Sequence, residues 1–213
     1  MITHQMLDEL RAKVSAGMSE KRFRHTAEVE SMVARLGALY APEQIPMLRA
    51  AALLHDITKE YSTDRQVLIL AEKNLPVSRN DLYAPKTFHA RTAAALIPEL
   101  YPDFADAEIV SCVRWHTTGR ADMSLCEQLV YLADYIDLSR TFADCVRLRN
   151  FFFDAEPESM DMDTRLAHLR DTLILSFDMT IRALMEDGVP VSPDSFEARN
   201  ALICRRLAEQ SRP

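Results

Sequence analysis

Apolar residues recur at three- and four-residue intervals along almost the whole chain, and no run alternates β-branched with polar side chains as a half-buried strand does. The pattern predicts an all-α protein. A first helix spans residues 3–16 and stops at Gly17. A second opens on Ser19 as N-cap, carries Phe23, Ala27, Met32, Val33, Leu36 and Leu39 on one face, and ends at Pro42. The third, from about Pro46, reads Leu48, Ala51, Ala52, Leu53, Leu54, a core helix by composition that runs into His55-Asp56. Shorter helices cover 63–73, 87–96 and 103–116, and Ser124 caps another whose buried side is Leu125, Leu129, Leu132, Ala133 and Ile136. The acidic stretch 156–163 reads as a loop. A long helix from Thr164 to Asp187, a stop at Gly188 and a last helix opened by Ser192-Pro193 make a carboxy-terminal hairpin. The leucine-rich series Leu166, Leu169, Leu173, Leu175, Phe177 and Leu184 reads as core or as a surface for association into a homodimer. The expected organisation is one helical bundle, with an amino-terminal helix at 1–17, a central helical domain at 18–155 and the hairpin at 156–213 packed on it.

Composition narrows this picture. With 213 residues, 48% of them hydrophobic, one core is expected rather than two. No apolar run approaches the roughly 18 residues of a membrane span, and residues 1–10 interleave apolar with charged side chains rather than forming a secretory signal. A soluble, cytoplasmic protein is expected. Only 4 glycines occur, Gly17, Gly37, Gly119 and Gly188, so neither a Walker loop nor a dinucleotide fingerprint can be built. Cys112, Cys126, Cys145 and Cys204 form no CxxC pair and read as buried thiols rather than a zinc site. A formal charge of -7 disfavours non-specific binding to nucleic acid or an anionic membrane. An anionic substrate therefore has to meet locally concentrated positive charge.

The chemistry lies in the histidines. His55-Asp56 follows an apolar helix directly, and burying the two unpaired costs several kcal/mol unless a partner or a metal satisfies them. Taken alone, the pair reads more readily as a helix-end carboxylate beside a capping imidazole than as a ligand pair. His25, His89, His116 and Asp134 enlarge the set: each lies on its own predicted helix among apolar neighbours, and such residues can converge in a bundle as metal ligands do. Imidazole with carboxylate suits iron, manganese or zinc better than calcium or magnesium. His4 and His168 have no such company and read as solvated or structural.

Arg22-Phe23-Arg24-His25, Ala51-Ala52-Leu53-Leu54-His55-Asp56-Ile57-Thr58-Lys59, His89-Ala90, His116-Thr117-Thr118-Gly119 and Ala133-Asp134-Tyr135-Ile136-Asp137 together resemble the HD-domain metallophosphohydrolases. His-Thr-Thr-Gly, the Lys59 offset and the tail Gly188–Asp194 running into Glu197–Ala201 are similar to the YqeK-like branch, bacterial iron-using symmetrical diadenosine tetraphosphate hydrolases. The resemblance covers roughly residues 18–203 and leaves the Phe151-Phe152-Phe153 cluster without a counterpart. It implies a single HD-domain helical bundle with one or two divalent ions, iron or else manganese. His25, His55, Asp56 and Asp134 hold the first. His89 and His116 either complete a second site bridged by Asp56 or hydrogen-bond the substrate phosphate. The implied reaction is phosphoanhydride hydrolysis by a metal-bound hydroxide, splitting diadenosine tetraphosphate into two ADP.

Around that centre, Lys59 lies three residues after Asp56 and reads as a catalytic phosphate-binding or leaving-group residue, or as a solvated lysine. Arg22, three before His25, is a candidate phosphate ligand, with Arg91 and Arg114 weaker members of the same rim. Thr117, Thr118 and Gly119 offer hydroxyls and backbone N–H groups to phosphate, or simply end a helix. Asp137 shares the face of Asp134, as a substrate-side group, an orienter of a metal ligand or a surface carboxylate. Two other functions stay open: a nucleotidase or phosphodiesterase acting on other nucleotides, and a non-catalytic nucleotide- or metal-binding module. No Gly-Tyr-Pro follows His55-Asp56, which disfavours cyclic-dinucleotide hydrolysis, and an intact ligand set disfavours the module.

Overall fold

Eleven α-helices and no strand occur in residues 2–211, the part of the chain that the computed structural model describes. They are α1 (His4–Ala16), α2 (Glu20–Tyr40), α3 (Ile45–Leu54), α4 (Thr63–Glu72), α5 (Arg79–Tyr83), α6 (Phe88–Leu100), α7 (Ala107–Trp115), α8 (Leu125–Ile136), α9 (Ala143–Phe153), α10 (Met162–Glu186) and α11 (Pro193–Gln210). None is long and apolar enough to cross a membrane.

Helix α3 is central because its sequence offers no polar face to solvent: Leu48 and residues 50–54 are fully buried. Gly37 of α2 lets α3 approach, since a Cβ there would lie 3.0 Å from both Ile45 Cγ1 and Leu48 Cδ1. The buried Glu30 of α2 ties in its neighbours, accepting from Arg11 of α1 (2.6 and 3.0 Å) and Arg49 of α3 (2.9 Å). Helix α8 starts in a capping box, Ser124 with Glu127, and presents Tyr131 to α10, where its ring stacks on Phe177 at 4.7 Å. One apolar cluster runs from Leu7 in α1 to Leu202 in α11, so the hairpin of α10 and α11 shares the core of the bundle. Leu169, Leu173 and Phe177 are buried in it, whereas Leu166 is exposed.

The structure departs from the sequence reading in five places. Helices α5 and α9 were not anticipated. The predicted loop 156–163 is shorter, because Pro157–Ser159 forms a 3₁₀ turn and Asp161 caps α10 at Thr164 N. Helix α7 begins only at Ala107, with Asp106 as its cap. Helix α3 does not carry its α geometry past Leu54: the chain turns through three-residue hydrogen bonds, Lys59 N to Asp56 O (3.0 Å) and Tyr61 N to Thr58 O (3.0 Å). At three residues per turn Asp56 and Lys59 stand on one side. The Phe151–Phe153 cluster ends α9: Phe152 is fully buried, Phe153 packs under Arg35 at 3.8 Å, and His168 donates to Phe152 O at 2.9 Å.

Candidate metal centre

Four imidazoles and two carboxylates from the ends or interiors of five helices meet at one point. His25 comes from α2, His55-Asp56 from just beyond α3, His89 from the first turn of α6, His116 from the end of α7 and Asp134 from α8. His25, His55, Asp56, His89 and His116 are all less than a tenth exposed. His25 Nε2 lies 3.0 Å from Asp134 Oδ1, His55 Nε2 3.4 Å from Asp56 Oδ2, and His89 Nε2 3.3 Å from Asp56 Oδ1.

The tautomers follow from the backbone. His55 Nδ1 faces Ala52 O (2.6 Å), His89 Nδ1 faces Lys86 O (2.7 Å), and His116 Nδ1 faces Val113 O (2.7 Å). A carbonyl only accepts, so each Nδ1 carries the proton and each Nε2 turns a lone pair inward. His25 Nδ1 is held by Ser139 Oγ at 3.1 Å and Asp137 Oδ2 at 3.4 Å. This is the arrangement that fixes metal-ligating histidines.

Several inward atoms have no hydrogen-bond partner: His25 Nε2, His55 Nε2 and Asp56 Oδ1. Buried acceptors left unpaired are costly, and a divalent cation is the group that satisfies several at once. Two overlapping sets fit one, His25–His55–Asp134 and His55–Asp56–His116, each with its ligand atoms within 4.8 Å of one another. The donor chemistry, imidazole nitrogen with carboxylate oxygen, matches a borderline transition-metal ion.

Charge in the centre is arranged to suit. Burial alone pushes the Asp56 carboxyl up, yet His55, His89 and Lys59 hold it well below the usual carboxylate range. Burial likewise opposes ionisation of Asp134, and the Arg140 guanidinium with His25 and His55 outweighs it. For His25 burial disfavours the proton, but the Asp134 and Asp137 carboxylates beside its ring lift its pKa to about 9. His116, fully buried and beside His55, is pulled down to about 4, and burial also lowers His89.

A cavity of about 540 Å³ opens on this centre and is lined on that side by Lys59, His116, Thr117, Asp134 and Arg140. Lys59 Nζ lies 3.1 Å from His89 Nε2, and Thr117 Oγ1 3.2 Å from the same atom. Arg22 does not reach the cavity, and its Nη1 pairs with Asp56 Oδ2 at 2.8 Å. Thr118 lines the cavity while its carbonyl accepts from Ser195 Oγ of α11 at 2.9 Å. Two expected substrate contacts lie elsewhere. Asp137 is fully buried behind His25, and Gly119 faces Phe177 and Ala198 of the hairpin. Arg91 and Arg114 are also away from the cavity: Arg91 pairs with Asp81 at 3.3 Å and Arg114 stacks on Trp115 at 3.9 Å.

The sequence reading missed Arg140. Its Nη2 contacts Asp134 Oδ1 at 2.6 Å and its Nε donates to Asp134 O at 3.0 Å, while Arg149 pins the same loop by donating to Ile136 O (2.9 Å) and Arg140 O (2.5 Å). The signal was present: Arg140 follows Asp137 by three residues, as Lys59 follows Asp56.

Comparison with known proteins gives the same picture. A relative from Bacillus subtilis named "Bis(5'-nucleosyl)-tetraphosphatase, symmetrical" is 29% identical over 92% of this chain and 97% of its own length. One of the same name from Halalkalibacterium halodurans is 29% identical over 89% and 93%. A crystal structure from Clostridium acetobutylicum, described as a predicted HD superfamily hydrolase involved in NAD metabolism, superposes with a TM-score of 0.78 at 28% identity, over 93% of this chain and 97% of that one. The HD domain family profile matches residues 22–139, the stretch that carries all six converging side chains, and the chain belongs to the HD-domain family.

Proposed function

We propose that this protein is a divalent-metal-dependent hydrolase that splits dinucleoside tetraphosphates symmetrically, diadenosine tetraphosphate into two ADP. The observation that carries the metal dependence is the set of buried, unpartnered acceptors His25 Nε2, His55 Nε2 and Asp56 Oδ1. The names of the relatives support the substrate.

His25, His55, Asp56 and Asp134 hold the first ion. For His89 and His116, the Nε2 atoms stand 3.0 Å apart with lone pairs turned inward, which supports a ligating role. A lone pair ligates a cation but cannot donate to a phosphate oxygen, so His89 and His116 would serve with Asp56 as ligands of a further divalent ion, which would add Lewis acidity there. Iron is the ion we assign, with manganese as its substitute. A bound divalent cation would supply Lewis acidity and a water whose pKa is drawn down toward about 7.

The remaining work falls to the chain. Asp56, kept ionised, supplies the anion shared by both positions. Lys59 and Arg140 face the cavity as cations and neutralise charge that develops on the phosphoryl oxygens. Attack of water on one inner phosphorus breaks its bond to the central bridging oxygen, and that oxygen leaves on the second ADP. Protein loaded with ferrous or manganous ion and given diadenosine tetraphosphate yields ADP as the sole nucleotide product, read by chromatography. AMP with ATP would refute symmetrical cleavage.

A further inference from the structure

The cavity changes character away from the metal centre. Beside the polar groups Lys59, His116 and Arg140, its lining holds an apolar set, Phe142 and Tyr83 with Leu184, Val189 and Pro190, set among polar residues such as Lys86, Asp144 and Asp187. Phe142 is 69% exposed and Tyr83 64%, and neither ring stacks on another ring among the described residues. Three of these five residues belong to the hairpin, and only Tyr83 lies within the segment that matches the HD family.

Phe142 also breaks a local rule. It is the N-cap of α9, where Ser, Thr, Asp or Asn would accept a first-turn N–H, and it makes no capping hydrogen bond. A helix start that forgoes its cap to hold a bare phenyl ring in an open cavity points to a use for the ring. Both rings sit on held segments. Arg149 fastens the loop that ends at Phe142, and the Ser78–Asp81 capping box with the Arg91–Asp81 pair fastens α5 beneath Tyr83. Flat, pre-positioned aromatic surfaces with an aliphatic wall suit a nucleobase, and because every base has a π-face such a platform is tolerant of base identity.

We infer that Phe142 and Tyr83, backed by Leu184, Val189 and Pro190, form a nucleoside subsite that selects base-capped polyphosphates over bare ones. The inference rests on the reading that phosphates sit at the metal centre, because the subsite is continuous with it in one cavity. It extends substrate selection beyond the HD segment: the residues of the metal centre bind and cleave the anhydride, and Tyr83 with the α8–α9 loop and the hairpin reads what the anhydride is attached to.

Calorimetric binding to manganese-loaded protein tests it, with ADP and inorganic pyrophosphate as paired probes that differ only in the nucleoside. The native protein binds ADP at least tenfold more tightly than pyrophosphate. Phe142→Ala and, separately, Tyr83→Ala weaken ADP binding by about tenfold or more, leave pyrophosphate binding within twofold and keep the metal content. Phe142→Trp retains the ADP affinity. Equal affinities of the native protein for the two probes, or a parallel loss of both in the variants, overturns the subsite. Failure of the tetraphosphatase reading looks different: no ADP is formed from diadenosine tetraphosphate although the preference for ADP over pyrophosphate stands.

Discussion

Three of the four inward-facing imidazoles are steered by the same device, a donated Nδ1–H to the carbonyl three residues earlier. It works because His55 and His116 sit at helix C-termini and His89 follows a 3₁₀ turn, where carbonyls are not fully used by the helix ladder. His25 lies inside α2, where the neighbouring carbonyls are committed, so its ring needs a partner from elsewhere. Asp137 and Ser139, just past α8, provide one. Asp137 is fully buried 3.4 Å from His25 Nδ1 and does not line the cavity, a placement that suits orienting the His25 ring. The variant Asp137→Asn keeps the shape but turns one oxygen into a donor facing an Nδ1–H. It lowers metal affinity by about 10–100-fold while the helical circular dichroism is retained, as read by titration with manganese. Unchanged affinity would show that the ring is fixed without this carboxylate.

At the scale of elements, the hairpin is joined to the turn that follows His116 through Gly119. Its φ of +64° is left-handed, and a Cβ would lie 2.6 Å from Phe177 Cζ and 3.1 Å from the Ala198 Cβ. Gly119→Ala combines a backbone penalty of about 1 kcal/mol with overpacking of about 1–3 kcal/mol. Unfolding free energy falls by about 2–4 kcal/mol in total, read as a lower denaturation midpoint, and His116 shifts with the turn that carries it. The elements that the sequence revealed are those whose pattern is local, such as α3 with its unbroken Ala50–Leu54 run and α8 with its Ser124–Glu127 box. Helices α5 and α9 escaped because their support is not local. Helix α5 is five residues held by a capping box and Arg91, and α9 buries only Cys145, Leu148 and Phe152 between charged positions. The candidate ligands drew notice because polar side chains in apolar helices need a reason to be there. Arg140 did not, because an arginine in a loop has no such oddity until Asp134 is seen beside it.

For the whole molecule, the centre joins α2, α3, α6, α7 and α8, yet its fold does not hang on a cation. Arg22 and Arg140 already face Asp56 and Asp134 at 2.8 and 2.6 Å, so the two buried acids keep counter-charges of the chain's own. A bundle with an apolar cluster from Leu7 to Leu202 thus differs from small domains that unfold without their metal. Loading should therefore add stability to a folded protein rather than create the fold. An ion present at about 100 times its dissociation constant stabilises by about 2.7 kcal/mol. For a chain of this length that raises Tm by roughly 5–11 °C. Chelation reverses the shift while the helical circular dichroism at 25 °C stays intact. In Asp134→Ala the shift is lost, because His25 and His55 no longer share an anion with the ion. A chelated protein that loses its helices would mean that the arginines do not substitute for the cation, and that the centre holds the bundle together as well as carrying its chemistry.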